Sequence, residues 1–154
     1  MLILVALTRK NMIKSLLSAL LLTTGILSID SPGNVPFTDK PNDTLKESLV
    51  RGQQVYAANC ASCHMAEGEG IPSTFPPLAK SDYLMKDQKQ AIRTVLHGLS
   101  GEITVNGDTY NMAMPGYDSL SDQEVADVLN YIQNSWGNKA KPVSPAQVKA
   151  ERKK

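Results

Sequence analysis

The chain has 154 residues, with 16 Lys and Arg against 15 Asp and Glu, and it contains only two cysteines. This length predicts one domain with terminal extensions. Two cysteines are too few for a four-thiolate zinc or iron–sulfur site, and also for a scaffold built on several disulfides.

The first 30 residues have the pattern of an export segment. Arg9, Lys10 and Lys14 precede an uncharged, mostly apolar run at 15–29, and the sequence DSPG ends that run. This order predicts a signal peptide or an N-terminal membrane anchor over residues 1–30. Because the basic flank favours the cytoplasmic side, the rest of the chain is expected in the periplasm. If the segment stays uncleaved, the expected location is the outer face of the cytoplasmic membrane.

The domain is predicted to begin at residue 43, after a linker. Residues 31–42 (SPGNVPFTDKPN) are rich in Pro and Asn and show no periodicity, which is typical of a linker. Thr44 and Glu47 then form a capping-box pattern that predicts the start of a helix running to Cys60. The apolar stripe expected on this helix consists of Leu45, Leu49, Gly52 and Tyr56.

Two further helices and one hairpin are predicted downstream. One helix begins near Asp87 and ends at Gly98, and another begins at the capping pair Ser121 and Glu124 and stops at Gly137. Residues 68–83 contain three prolines and no period, which predicts a long functional loop. At 103–111, the pair Asn-Gly lies between short alternating runs and predicts a β-hairpin. The expected fold class is therefore all-α, with three main helices and one small hairpin.

Charge is distributed unevenly along the chain. Residues 43–137 carry 6 Lys and Arg against 12 Asp and Glu, a net charge of −6, whereas residues 138–154 carry 6 against 1, a net charge of +5. We interpret 43–137 as the folded domain and 138–154 as a basic C-terminal tail, with a short helical segment after Pro145. An acidic, exported domain is not expected to bind nucleic acid.

Both cysteines belong to the motif NCASCH, in which two residues separate Cys60 from Cys63 and His64 follows directly. A thioredoxin-like dithiol requires a strand before the motif in a βαβ context, and here a helix is predicted. A two-cysteine, two-histidine zinc site would need His97, and the adjacency of Cys63 and His64 makes it hard for all four groups to reach one ion. The motif supplies two thiols for thioether bonds and one imidazole for iron, so it predicts one covalently attached haem c.

The haem iron needs a sixth ligand or keeps an open position. The candidates are Met65, Met85, His97, Met112 and Met114. Met65 is adjacent to His64 and cannot reach the opposite face. Met85 precedes a helix and His97 lies in the last turn of one, where a cation suits the helix dipole, so both are interpreted as structural.

Met112 and Met114 lie 48 and 50 residues beyond His64 in the sequence MAMPGY, far enough to return over the other face of the haem. Either one could reach the iron. Pro115 fixes its own φ angle and pushes Met114 towards an extended conformation, which favours a rigid loop around Met114.

Residues 44–137 resemble the class I monohaem cytochromes c. RGQQVYAANCASCH is similar to the first helix and haem motif of that family, FPPLAKSDYL to its proline loop, and DVLNYIQNSWGN to its last helix. The similarity implies that Val128 and Tyr131 cross the first helix at Gly52. In TYNMAMPGYDSLSDQEVADVLNYI, the Met-Pro pair resembles the family's axial ligand loop, which implies that Met114 is the distal ligand opposite His64.

The resemblance implies an electron carrier of the bacterial periplasmic or membrane-tethered kind. Its haem would pass single electrons between respiratory redox partners, such as a terminal oxidase or reductase, that dock transiently at the haem edge. With both axial positions of the iron filled, no small-molecule substrate and no enzymatic activity are expected. The alternative is a haem enzyme or ligand sensor in which the sixth position is open or labile.

Overall fold

The computed structural model describes residues 44–153, which form six helices and one short hairpin. In chain order these elements are α1 (Leu45–Asn59), α2 (Ala61–His64), α3 (Asp82–Lys86), α4 (Gln88–His97), β1 (Ile103–Val105), β2 (Asp108–Tyr110), α5 (Asp122–Ile132) and α6 (Pro145–Arg152). The predicted all-α class with a small hairpin is confirmed. The export segment and linker predicted for residues 1–42 lie outside the described part of the chain. None of the helices between residues 44 and 153 has the length and apolarity needed to cross a membrane.

The predicted helix starts are confirmed by their capping contacts. In α1 the Thr44 amide donates to Glu47 Oε2 (3.0 Å) and the Glu47 amide donates to Thr44 Oγ1 (3.3 Å). Ser121 and Glu124 exchange the same pair of bonds at the start of α5, at 2.8 and 3.2 Å. Asp87 caps α4 by accepting from the Lys89 amide. Each cap satisfies backbone donors that have no partner inside the helix.

Two predicted boundaries were wrong. The last helix of the haem domain ends at Ile132 instead of continuing to Gly137. Carbonyl groups in its last turn accept hydrogen bonds from side-chain amides beyond the helix. Asn134 Nδ2 donates to the Asn130 carbonyl, and Asn138 Nδ2 donates to the Ile132 carbonyl. The predicted loop at 68–83 also ends early, because Ser81 caps the short helix α3.

The hairpin has the predicted two-residue turn. Asn106 and Gly107 both have positive φ angles, 52° and 94°, as a type I′ turn requires. Val105 pairs with Asp108, Thr104 with Thr109 and Ile103 with Tyr110.

The centre of the fold is the close crossing of α1 and α5 at Gly52, as the resemblance implied. A Cβ atom at Gly52 would lie 2.0 Å from the Asp127 carbonyl oxygen and 2.8 Å from Tyr131 Cβ. No residue other than glycine fits this contact without moving the helices apart. Beside it, Tyr56 packs against Tyr131 and Trp136, with ring centroids 5.5 and 5.1 Å away.

A buried ion pair at this crossing was not predicted from the sequence. Asp127 is fully buried and accepts from Arg51 Nε (2.7 Å) and Nη2 (3.0 Å), and also from Ser48 Oγ and Gln123 Nε2. The bond to Asp127 raises the pKa of the Arg51 guanidinium. Buried charges are tolerated only with such complete pairing.

The basic C-terminal segment is folded onto the domain. The charge pattern predicts a domain that ends at residue 137, but Val143 and Val148 are buried against the helices that precede them. The Asn130 side chain makes two hydrogen bonds with the Val143 backbone. Its Oδ1 accepts from the Val143 amide (2.6 Å), and its Nδ2 donates to the Val143 carbonyl (3.0 Å). The net charge of the segment does not show this packing, because the packing depends on two valines, Val143 and Val148.

Candidate haem site

A cleft of about 1280 Å³, counted with its opening to solvent, lies between the C-terminal end of α1, α4, α5 and the segment after β2. Its wall is mostly apolar, and the described residues that line it include no Lys, Arg, Asp or Glu. The predicted site residues Cys60, Cys63, His64, Met112 and Met114 all line this one cleft. The fold therefore brings together groups that are far apart in sequence.

The cysteine motif forms one wall of the cleft because the chain turns tightly there. Cys60 ends α1, and α2 continues from it as a single turn. The amides of Cys63 and His64 both donate to the Cys60 carbonyl, at 3.1 and 3.0 Å. This turn directs both thiols and the imidazole towards the same cleft.

The His64 ring is oriented as a metal ligand requires. The imidazole is buried, and its Nδ1 lies 2.9 Å from the Pro76 carbonyl oxygen. A carbonyl only accepts, so Nδ1 carries the proton and Nε2 keeps a free lone pair. Burial lowers the pKa of His64, partly opposed by the bond to Pro76, and so favours the neutral, ligating form.

Pro76 is held against His64 by a folded loop at 65–80. The Gly70 amide donates to the His64 carbonyl (3.0 Å), and the Gly68 carbonyl accepts from the amides of Leu78 (2.7 Å) and Ala79 (2.9 Å). The predicted proline loop is thus closed at both ends by backbone bonds. The contact from Pro76 was not foreseen, although the motif's histidine and the nearby Pro-Pro pair were the signals for it.

The surroundings of the cysteines do not fit the other interpretations of the motif. Burial, with a smaller contribution from Cys63, raises the pKa of the Cys60 thiol to about 11, whereas a reactive dithiol has a lowered one. The helix α1 precedes the motif, where a thioredoxin-like site has a strand. Between residues 44 and 153, no three His, Cys, Asp or Glu side chains are placed to hold a metal ion, and His97 is exposed.

Another part of the cleft wall comes from the segment of residues 111–120, here called the Met114 loop. Met114 and Leu99 exchange two backbone hydrogen bonds, of 3.0 and 2.9 Å, so the loop is bound to the chain just after α4. The approach is close at Gly98, which has a φ angle of 79° and where a Cβ would lie 2.4 Å from the Met114 carbonyl oxygen. The backbone of Met114 is therefore fixed.

Tyr117 fixes the same loop to two helices. Its amide donates to the Val95 carbonyl of α4 (2.9 Å), and its hydroxyl donates to the Asn59 carbonyl at the end of α1 (2.8 Å). The Met114 loop is thereby connected to the residue that precedes Cys60. This role of Tyr117 was not predicted, and its position three residues after Met114 was the only signal for it.

The five candidates for the sixth ligand are separated by their positions. Met112 and Met114 line the cleft, whereas Met65, Met85 and His97 are not among the described residues of its wall. The Met112 side chain is 58% exposed, while Met114 is partly buried.

Comparison with known proteins shows what such a cleft belongs to. The family described as Cytochrome c matches residues 49–136, more than half of the chain. The chain belongs to the class I cytochrome c family. It is 39% identical over 125 residues to cytochrome c-552 of Thermus thermophilus, covering 67% of this chain and 95% of that protein.

Two further relatives are named as subunits of dehydrogenases. The cytochrome c subunit of the quinone-type alcohol dehydrogenase of Gluconobacter oxydans is 41% identical over 91 residues, 58% of this chain and 19% of that subunit. The cytochrome c subunit of the gluconate 2-dehydrogenase of Pantoea cypripedii is 37% identical over 101 residues, 62% of this chain and 22% of that subunit. Cytochromes c carry electrons on a covalently bound haem c, and this cytochrome is an electron carrier rather than an enzyme.

The residues of this cytochrome fit a haem. The cleft is broad and apolar, as a large flat porphyrin needs, and its one buried imidazole has a free Nε2. Two thiols lie in the same tight turn as that imidazole, and a thioether-bearing loop forms another part of the wall. The described lining contains no Lys, Arg, Asp or Glu, so filling the cleft with a haem would bury no such charged side chain.

Proposed function

We propose that this cytochrome carries single electrons through one haem c attached at Cys60 and Cys63, with His64 and Met114 as axial ligands. One observation supports this most directly: the cysteines and His64 lie on one wall of an apolar cleft, and the fixed backbone of Met114 lies on another. When bound, the haem supplies a one-electron couple between Fe(II) and Fe(III).

Each residue has a distinct role in this proposal. The two thiols would hold the porphyrin by thioether bonds to its two vinyl groups. His64 Nε2 would donate its lone pair to iron, and the bond from Nδ1 to Pro76 keeps the ring from rotating. Met114 would supply a thioether, a ligand that favours the ferrous state and raises the reduction potential.

The cleft wall tunes the same potential by excluding water. Its apolar side chains include Val95 of α4 and Val128 and Leu129 of α5, together with residues of the hairpin and the neighbouring loops. A low dielectric disfavours additional charge on the iron, which also favours the reduced form.

The partners are redox proteins that bind briefly at the exposed rim of the cleft. Met112, Ala113 and Pro115 line the cleft and are also exposed, so they mark its rim. We propose respiratory partners, such as a terminal oxidase, a reductase or a dehydrogenase. Encounters of this kind bury little surface and are weak. We place the cytochrome in the periplasm or on the outer membrane face, tethered there if residues 1–30 are uncleaved.

Attachment of haem is tested on the two cysteines. The double variant Cys60→Ala/Cys63→Ala is expected to lose covalent haem completely, and each single variant to keep at most one thioether. Denaturing gels stained for haem measure this directly. A stained band that survives the double substitution would contradict the proposal.

The axial ligands are tested by the visible spectrum of the oxidised protein. Iron–methionine bonding gives a weak long-wavelength band, which we expect in the native protein. A high-spin spectrum that changes at once on addition of cyanide would instead favour the haem enzyme or ligand sensor.

A further inference from the structure

Arg152, in the C-terminal helix α6, contacts the backbone of the Met114 loop. Its guanidinium donates three hydrogen bonds, from Nη1 to the Asp118 carbonyl (2.7 Å), from Nη2 to the Leu120 carbonyl (2.7 Å), and from Nε to Asp122 Oδ1 (2.8 Å). Two of these bonds reach the loop's own backbone, and the third reaches the first turn of α5.

The helix that carries Arg152 is itself firmly packed. Val148 is fully buried, and buried Glu151 accepts from Arg93 Nη1 of α4 at 2.6 Å. Gln147 donates to Gln88 at the other end of α4. Arg152 therefore extends from a helix that is anchored to α4, so its bonds connect the loop to that anchored helix.

The loop is restrained from two sides. On the cleft side, Leu99 and Val95 bind the backbone of Met114 and Tyr117. Beyond Tyr117, the next described hydrogen bonds of the loop to another element are those of Arg152, and Leu120, whose carbonyl Arg152 binds, also lines the cleft. Releasing this end would leave residues 118–120 held by the packing of Leu120 and would weaken the restraint on the loop that carries Met114.

We propose that Arg152 is a positioning residue that latches the Met114 loop and thereby slows departure of Met114 from the iron. This rests on the proposed ligation by Met114. Only arginine offers three donors in a planar fork of this shape, so lysine should replace it poorly.

The test measures how fast cyanide binds to the oxidised, haem-loaded protein, because cyanide reaches the iron only after Met114 leaves. Loss of one charge-assisted hydrogen bond weakens the closed loop enough for about a tenfold change. Arg152→Ala is therefore expected to bind cyanide at least about tenfold faster than the native protein, with Arg152→Lys in between. The iron–methionine band remains in both variants.

Two controls separate the latch from general stability. Lys149→Ala removes a charge from an exposed position of the same helix, and Val55→Ala weakens the core of α1 without touching the loop. Both are expected to bind cyanide at the native rate, although Val55→Ala unfolds at lower denaturant concentration. If Arg152→Ala binds cyanide at the native rate, or if Val55→Ala accelerates it equally, the latch is disproved.

Amide hydrogen exchange distinguishes this inference from the proposed ligation. If the native protein lacks the iron–methionine band, ligation by Met114 fails, and exchange then decides the latch alone. Faster exchange at Tyr117 and Leu120 in Arg152→Ala supports it, and unchanged exchange overturns it.

Discussion

The α1–α5 crossing and the Met114 loop are held by different kinds of contact. At the crossing, buried side chains interlock around Gly52 and Asp127, and the helices satisfy their own backbone bonds. The backbone of the Met114 loop is held by hydrogen bonds with the backbone of Leu99 and Val95 and with the side chain of Arg152, and Met112 is largely exposed. We expect the crossing to determine stability and the loop to determine the chemistry at the iron.

The largest effect is expected at Asp127. Asp127→Ala removes the carboxylate that pairs with buried Arg51, and breaking a buried ion pair costs about 3–5 kcal/mol. Denaturant unfolding of the haem-loaded protein measures this loss. Glu102→Ala, at an exposed carboxylate, is the control and should stay within about 0.5 kcal/mol of the native protein.

A paired substitution sharpens this prediction. Replacing both partners, in Arg51→Met/Asp127→Leu, should recover much of the lost stability because no charge is then buried. A double variant that is no more stable than Asp127→Ala would show that the polar contacts to Ser48 and Gln123 matter more than the charge.

A smaller loss is expected at Gly52. Gly52→Ala places a Cβ 2.0 Å from the Asp127 carbonyl oxygen, so the helices must separate. Overpacking of this kind costs about 1–3 kcal/mol, occasionally more. If Gly52 had no close neighbour, replacement by alanine would instead raise the free energy of unfolding by up to about 1 kcal/mol. Ala57→Leu, on the exposed face of the same helix, provides the control in the same unfolding experiment.

Substitutions of the two loop methionines should change stability least. Of the two, only Met114→Ala should change the ligation of the iron. Met114→Ala is expected to abolish the iron–methionine band, lower the reduction potential and open the iron to cyanide. Met112→Ala, at a side chain 58% exposed, should keep the band and change stability by about 0.5 kcal/mol or less. Visible spectra and potentiometry measure these effects. Loss of the band in Met112→Ala alone would reverse the assignment of the ligand.

Much of this division could be read from the sequence. The capping boxes at Thr44 and Ser121, the Asn-Gly turn and the cysteine motif are local signals, because a few neighbouring residues determine each structure. The Gly52 crossing came from the resemblance to a family.

The features that were missed depend on contacts between distant residues. Arg51 and Asp127 are 76 positions apart, and Arg152 binds the Asp118 carbonyl from 34 positions away. Periodicity shows which face of a helix is buried but not which polar groups meet there. The early end of α5 likewise depends on Asn138, a residue beyond the helix.

The bridge between Leu99 and Met114 has a consequence for protein engineering. Residues 100–113 start and end at this bridge, and the hairpin between them places Val105 and Tyr110 in the cleft wall. The exposed turn at Asn106 and Gly107 can therefore change in length without moving that wall or Met114. A short peptide inserted between Asn106 and Gly107, such as one that binds an electrode, is expected to leave the iron–methionine band and the reduction potential unchanged. The cytochrome could in this way be attached to an electrode through the hairpin turn, at a chosen point near its cofactor.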